Sequence, residues 1–497
     1  MGEILLAIDQ GTTSTRVLAF DAEQLTVKAV HQIPLKQYYP SNGWVEHDAE
    51  EIWQATVTCL KTVLEQLSET TDSDTPTSIG ITNQRETTVL WDRKTGHPVH
   101  KAIVWQDRRT ASHCEELSKD TRLLKAVKEQ TGLLLDPYFS ATKIAWILDT
   151  HPDLRQQAQN GDILFGNIES YILYRLTHGG SHKTDATNAS RTMLCDIRQG
   201  TWSEDLLNVF DIPKTMMPEI CDNTHNFGSI SSGLPGAGLP IYGMVGDQQA
   251  AAIGQACTQK GSIKSTYGTG CFLLENTGQQ LVYSQNRLLT TIAYQTVGIR
   301  SYALEGSIFN AGTVIQWLRD DLGILKSASE SETIVSELGS TDGVYFVPAF
   351  TGMGAPHWDA DARGMITGLT RDSKASHIIR AGLESVVYQT NDLISALIKD
   401  GASKPGIIRI DGGMAANDWF AQFLANICDV RVEVPRSLEA TAIGAALCAG
   451  VGEGRWPTLA DAAKTATMEK SFKPVMTNDE RQNLLSGWHK AVARCLL

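Results

Sequence analysis

The sequence predicts an α/β protein built from two similar halves. Three observations carry that expectation. Apolar runs of strand length alternate with segments of helical period, a strand–polar turn–strand unit occurs twice, and a third Gly-rich turn joins a strand to a helix in the second half. A length of 497 residues suits roughly two to four domains, each able to bury a core of its own.

Residues 4–8 (Ile-Leu-Leu-Ala-Ile) are an apolar run of the kind found in a buried strand, and residues 16–19 continue extended after the polar turn Gln10-Gly11-Thr12-Thr13-Ser14-Thr15. Between 51 and 67, Ile52, Ala55, Thr56, Cys59, Leu60, Val63 and Leu64 recur at helical spacing. Residues 79–81 and 88–91 read as strand, polar insertion, strand, and residues 241–245 are strand-like, ending at Gly246-Asp247. The second unit runs through 263–266, the turn Tyr267-Gly268-Thr269-Gly270, and 271–275. Ile378, Leu383, Val386, Val387, Leu393, Ile394 and Leu397 mark an amphipathic helix over 377–398. Residues 408–410 pass through Asp411-Gly412-Gly413 into a helix over 417–427. The halves divide as 1–253 and 254–497 around a cleft, with a hinge expected in 243–254 or in the Gly/Pro-rich stretch 231–240.

There are 43 Lys+Arg against 56 Asp+Glu, a net charge of −13. That sign excludes a general nucleic-acid or anionic-membrane binder, so the partner is small. The N-terminal apolar run is too short for a signal peptide, and the small-residue run 440–452 is too short to span a bilayer, which predicts a cytoplasmic protein without membrane insertion. Nine cysteines without a C-x-x-C pair fit a reduced compartment. His97/His100 and His178/His182 have ligand-like spacing but no supporting Cys or carboxylate, so no histidine metal site is expected.

Gly with Thr and Ser at a strand turn presents N–H groups and hydroxyls that cradle phosphate oxygens. One such turn is equally an ordinary hairpin; two in matching places, with a third beyond them, favour phosphate. The pattern G-x-x-x-x-G-K-[ST] and a clean G-x-G-x-x-G are absent, which speaks against P-loop and dinucleotide chemistry.

The three turns, 9–14, 267–270 and 411–413, resemble the two phosphate loops and the adenosine loop of the actin-like ATPases. Residues 137–146, and 364–369 through Glu384, resemble the two signatures of the FGGY carbohydrate kinases. More narrowly, residues 43–48, 80–88, 103–106 and 246–251 are similar to the branch of that family that phosphorylates glycerol. The resemblance extends from about residue 4 to 492.

The resemblance implies two actin-like (ribonuclease H-like) domains that close on MgATP and glycerol, with sn-glycerol 3-phosphate and ADP as products. It implies Asp247 as the general base, a role that alcohol phosphorylation requires. Arg85, Glu86, Tyr138, Asp247 and Gln248 are the implied hydroxyl ligands, with Trp105 and Phe272 as an aromatic wall. Thr12, Thr13, Ser14 and Arg16 match the first phosphate contacts, and Arg16 is expected to be the one fixed positive charge near the transferred group. Thr269 and Gly312 match the second phosphate contacts, Gln316, Gly413 and Asn417 the adenine side, and Asp9 the carboxylate that holds Mg²⁺ through water. The implied assembly is a homodimer or homotetramer.

Chaperones and filament proteins with the same ATPase core have no need of Arg85-Glu86, Tyr138 and Asp247-Gln248. Other polyol and sugar kinases of the family should need a differently shaped pocket at residues 83–88. Two departures bear on regulation. Residues 231–240 lack the basic residue of relatives inhibited by fructose 1,6-bisphosphate, which predicts no such inhibition. The run His225-Asn226-Phe227-Gly228 is displaced by one residue from the context of a phosphorylated histidine in other relatives. Since the chain is acidic overall, ATP must be captured locally, and its binding is expected to depend strongly on Mg²⁺.

Overall fold

The computed structural model describes residues 2–70, 74–357, 359, 361–402, 404–437 and 439–496. Its frame is two mixed sheets. In the first, β1 (Glu3–Gln10), β2 (Ser14–Asp21) and β3 (Val27–Pro34) form an antiparallel meander, and β4 (Thr75–Asn83) lies parallel to β1. The hairpin of β5 (Thr224–Ser229) and β6 (Pro240–Gly246) completes it, with β6 parallel to β4, in the order β5-β6-β4-β1-β2-β3.

The second sheet repeats the plan. β7 (Ile263–Tyr267), β8 (Cys271–Gly278) and β10 (Ile299–Ile308) are antiparallel neighbours, and β9 (Leu289–Thr296) pairs with β10 at the edge. β11 (Ile407–Asp411) runs parallel to β7, β12 (Arg431–Pro435) parallel to β11, and β13 (Met468–Phe472) closes the other edge. The core order β3-β2-β1-β4-β6 thus recurs as β10-β8-β7-β11-β12.

Each sheet is covered by helices. Ile4, Leu6 and Ile8 of β1 pack with Ile52, Cys59, Leu60 and Val63 of α1 (Ala49–Thr70), while Leu5 and Ala7 face the other way into a separate core. Burial on both faces explains why β1 reads as a continuous apolar run instead of an alternating one. In the second half, Leu383, Val386, Val387 and Leu393 of the long helix Ala375–Lys399 pack with Ile263, Leu304 and Ile408.

The remaining helices position the site. They include α2 (Asp247–Gly254), α3 (Gly312–Asp320), α5 (Asp418–Cys428) and α6 (Ala440–Gly452), α4 being the helix Ala375–Lys399. Although α6 lies between β12 and β13 of the second sheet in the chain, it packs on β1, β4, β6 and α2. Glycines permit that approach. A Cβ at Gly80 would stand 2.0 Å from Ala445 O, one at Gly243 2.5 Å from Ala449 N, and one at Gly444 1.9 Å from Ala250 O.

Neither expected hinge is a free linker. Residues 243–246 belong to β6, residues 247–254 are α2, and residues 231–239 form the turn between β5 and β6, with Leu234 and Leu239 against the first core. Gly243 and Gly254 serve close packing under α6, whereas Gly233, Gly236 and Gly238 take φ of 88, 74 and 87 in the turn. Between β4 and β5, residues 84–223 carry a core of their own that includes Phe139, Ile144, Phe165 and Leu194. Every cysteine is a free thiol, buried except Cys495. No helix among the described residues is long and apolar enough to cross a membrane.

Candidate active site

Parallel pairing brings the chemistry to one edge. Asp9 lies opposite Thr82 and Gln10 opposite Asn83 across β1 and β4, and Gly246 lies opposite Asn83 across β6 and β4. The C-terminal ends of three adjacent strands therefore deliver Asp9, Arg85-Glu86 and Asp247 side by side, the usual place for a ligand on such a sheet. Gln84 ties the first two ends together, since its Nε2 donates to Gln10 Oε1 at 3.0 Å and Gly11 O at 3.2 Å.

At the first turn Gly11 N donates to Ser14 O at 2.9 Å, and Thr13 is exposed. Trp105 Nε1 donates to Thr12 Oγ1 at 3.0 Å, and the Trp105 backbone N donates to Thr87 Oγ1 at 3.3 Å, so turn and aromatic wall are one unit. Arg16 donates through Nη1 to Glu439 Oε2 at 2.7 Å and through Nη2 to Asp9. Burial raises the pKa of Asp9, and Arg16 opposes that rise.

The densest polar cluster surrounds Arg85. Its Nη1 and Nη2 donate to Glu305 Oε2 and Oε1 at 2.7 and 2.9 Å, Nη1 also reaches Gln249 Oε1 at 3.2 Å, and Nε lies 3.1 Å from Asp247 Oδ1. Asp247 opens α2 with its side chain 30% exposed, and its Oδ1 accepts from Gln248 N at 2.6 Å. Desolvation raises its pKa above the ordinary 3.8, with Arg85 and Lys264 opposing. Glu86 is held in the left-handed region at φ 58, and Arg191 Nε donates to its Oε1 at 2.6 Å. A non-glycine residue in that region costs on the order of 1 kcal/mol or more, the kind of strain that collects at functional sites.

Tyr138 and Phe272 meet Trp105 edge to face, with ring centroids 5.4 and 6.4 Å away. Phe272 comes from β8, so the wall joins both halves. Lys143 Nζ, buried, donates to Tyr138 O at 2.8 Å and Phe139 O at 3.3 Å and fixes the segment that carries Tyr138.

In the second half Thr266 lies opposite Asp411 across β7 and β11, which brings the turn 267–270 beside Gly412. Gly412 takes φ 87, and a Cβ there would stand 2.4 Å from Tyr267 O. Gly312 N donates to Gly268 O at 2.9 Å, and Thr269 O accepts from Ala311 N and Thr313 N at 3.0 and 3.2 Å. Thr269, Gly312 and Gly413 are thereby brought together around one turn. Gln316 is exposed one turn farther along α3, and Asn417 caps α5 by accepting from Phe420 N at 2.9 Å.

Sequence reasoning missed four residues of this cluster: Arg191, Gln249, Lys264 and Glu305. Arg85, Arg191 and Lys264 are further basic residues of the site, buried beside Glu86, Glu305 and Asp247. Lys264 Nζ donates to Gln248 Oε1 and, at 2.9 Å, to Thr266 Oγ1. A Lys or Glu inside an otherwise buried strand was the available sign for Lys264 and Glu305; Arg191 had none.

The model of the FGGY carbohydrate kinase N-terminal domain matches residues 4–254, and that of the C-terminal domain matches residues 263–453. The chain belongs to the FGGY family of carbohydrate kinases. This FGGY chain is 53% identical to the glycerol kinase of Alteromonas mediterranea over 494 residues, 99% of each chain, and 51% identical to glycerol kinase 1 of Pseudomonas aeruginosa over 495 residues, again 99% of each. Among solved structures it is similar to the Plasmodium falciparum glycerol kinase with ADP, at a TM-score of 0.96 and 38% identity, over 100% of this chain and 99% of that one.

Proposed function

We infer that this FGGY kinase transfers the γ-phosphoryl group of ATP to glycerol, giving sn-glycerol 3-phosphate and ADP. The observation that carries this reading is the small cluster in which Arg85, Asp247 and Gln248 converge under the Trp105, Tyr138 and Phe272 wall. It suits a short, uncharged triol, and full-length relatives named glycerol kinases support it.

Asp247 accepts the proton of the attacking hydroxyl, the new O–P bond forms in line as the bridging O–P bond breaks, and ADP departs. Its raised pKa and partial exposure support a base that meets substrate. Arg85, Glu86, Tyr138 and Gln248 hold the hydroxyls, and Trp105 and Phe272 bracket the carbons. Thr12, Thr13, Ser14 and Arg16 hold one side of the phosphates, Thr269 and Gly312 the other, and Gln316, Gly413 and Asn417 the adenine. Among the described residues no three His, Cys, Asp or Glu side chains are grouped for a metal ion. Asp9, whose carboxylate also accepts from Arg16, would hold Mg²⁺, which would neutralise phosphate charge. The enzyme works in the cytoplasm as a homodimer or homotetramer.

ADP release measured with glycerol, xylitol, ribulose or gluconate tests the reading. Glycerol should be the best acceptor, and Asp247→Asn should lower turnover about 10²–10⁴-fold. A better acceptor, or near-wild-type turnover in the variant, sinks it.

A further inference from the structure

Glu305 lies mid-strand on β10, in the second half, and its side chain is 2% exposed. Its carboxylate is occupied by two guanidinium groups of the first half: Arg85 bidentately at 2.7 and 2.9 Å, and Arg191, whose Nη2 lies 3.4 Å from Oε1. Such a fork sets the plane of a guanidinium as well as its position. Arginine has five N–H donors; Glu305 takes two from Arg85 and Gln249 a third, which leaves Nε–H and one Nη2–H. Nε stands 3.1 Å from Asp247. Arg191 extends the chain of charges one step farther, as an ion pair with Glu305 rather than a second fork, and its Nε holds Glu86 at 2.6 Å. Burial alone would raise the Glu305 pKa, but Arg191 and Arg85 outweigh it and hold the carboxyl at about 2, so the fork stays charged.

We propose that Glu305 is a positioning residue for substrate recognition: from the second half it orients Arg85 directly and Glu86 through Arg191, so the polar pocket is complete only when the two halves are docked. The proposal rests on the reading of Arg85 and Glu86 as substrate ligands. It assigns to a residue outside the pocket the alignment of the pocket's fixed donor fork.

Steady-state kinetics of the full chain with Glu305→Gln, Glu305→Asp and Arg85→Gln test it, with MgATP and glycerol varied separately. Glu305→Gln should raise the glycerol KM about tenfold or more while the MgATP KM stays within about twofold, and Glu305→Asp, which keeps the charge, should fall between it and wild type. If Glu305→Gln does not fold, Glu305→Asp is read by the same ratio. An unchanged glycerol KM in the folded Glu305 variants, with glycerol binding lost in Arg85→Gln, overturns the proposal and leaves the glycerol reading standing. An unchanged glycerol KM in Arg85→Gln as well overturns the reading itself. Equal rises in both KM values mark a general structural defect and also overturn the proposal.

Discussion

A Cβ at position 246 would stand 2.8 Å from Cδ and 2.9 Å from Cγ of Arg85, which is why the residue before Asp247 is glycine. Its φ is −63, so any residue could adopt the backbone conformation; space alone excludes a side chain. The Arg85 stem has no easy retreat, because its head is clamped by Glu305 and Gln249. Gly246→Ala should therefore leave the fold intact and raise the glycerol KM about 10- to 100-fold, since displacements of roughly 1 Å in a reacting array have effects of that size. Glycerol kinetics beside a near-ultraviolet circular dichroism spectrum would check both halves of that statement. The turn bearing Asp247 is also held from behind. Thr187 Oγ1 accepts from Gly246 N at 2.9 Å and donates in turn to buried Asp185. Asn223 bonds Asp185 Oδ1 at 2.9 Å and Met244 O at 2.8 Å.

Among the elements, α6 is the one whose packing the sequence hid. A helix of Ala and Gly is apolar all round, so no periodicity says which sheet it covers. Only the structure pairs Gly444 with Ala250 and places Ala445 and Ala449 over Gly80 and Gly243. Gly444→Ala forces a methyl group 1.9 Å from a carbonyl oxygen that cannot rotate away. It should destabilise the protein by about 3 kcal/mol or more in denaturant titration. Gly339→Ala, with no atom within 4 Å of the new Cβ, should stay within about 0.5 kcal/mol.

Elements with a clear period were legible. Residues 4–8 announced β1 because both its faces are buried, the helical spacing over 51–67 announced α1, and the expected turns fell between paired strands, narrowed to residues 11–13 and 268–270. Thr12, Arg85, Trp105 and Tyr138 lie in the motifs 9–14, 80–88, 103–106 and 137–146, and the structure places Trp105 against Thr12, Tyr138 and Phe272. Lys264 and Glu305 were not, because a charged residue in a strand ordinarily points to solvent, and only the docking of the second sheet on the first half turns these two inward.

At the scale of the whole molecule, three sets of ion pairs among the described residues link the two halves: Glu305 with Arg85 and Arg191, Glu439 with Arg16, and Arg455 with Glu3. The first is the most telling for stability, because it is buried and its carboxyl has a folded pKa of about 2 against an ordinary 4.5. A depressed acid pKa contributes stability that is fully present above 4.5 and disappears as the pH falls toward 2. Near neutrality Glu305→Gln should have a lower Tm than wild type, since removing one partner leaves buried arginine charge uncompensated. Scanning calorimetry from pH 7 downward should show the gap closing below 4.5; a gap independent of pH would contradict the assignment.

The placement of α6 also constrains how the protein can be made. The first sheet's Leu5, Ala7, Leu18 and Phe20 share a core with Ala250 and Ile253 of α2 and with Ala442, Ala446, Leu447 and Leu459 of the second half. On a ribosome that adds roughly 5–20 residues per second, the face waits about 10–40 s for α6 after the last strand of that sheet has emerged. The nascent chain therefore passes through an interval in which a nearly complete domain displays an unclosed apolar surface, the interval in which chaperone attendance matters most.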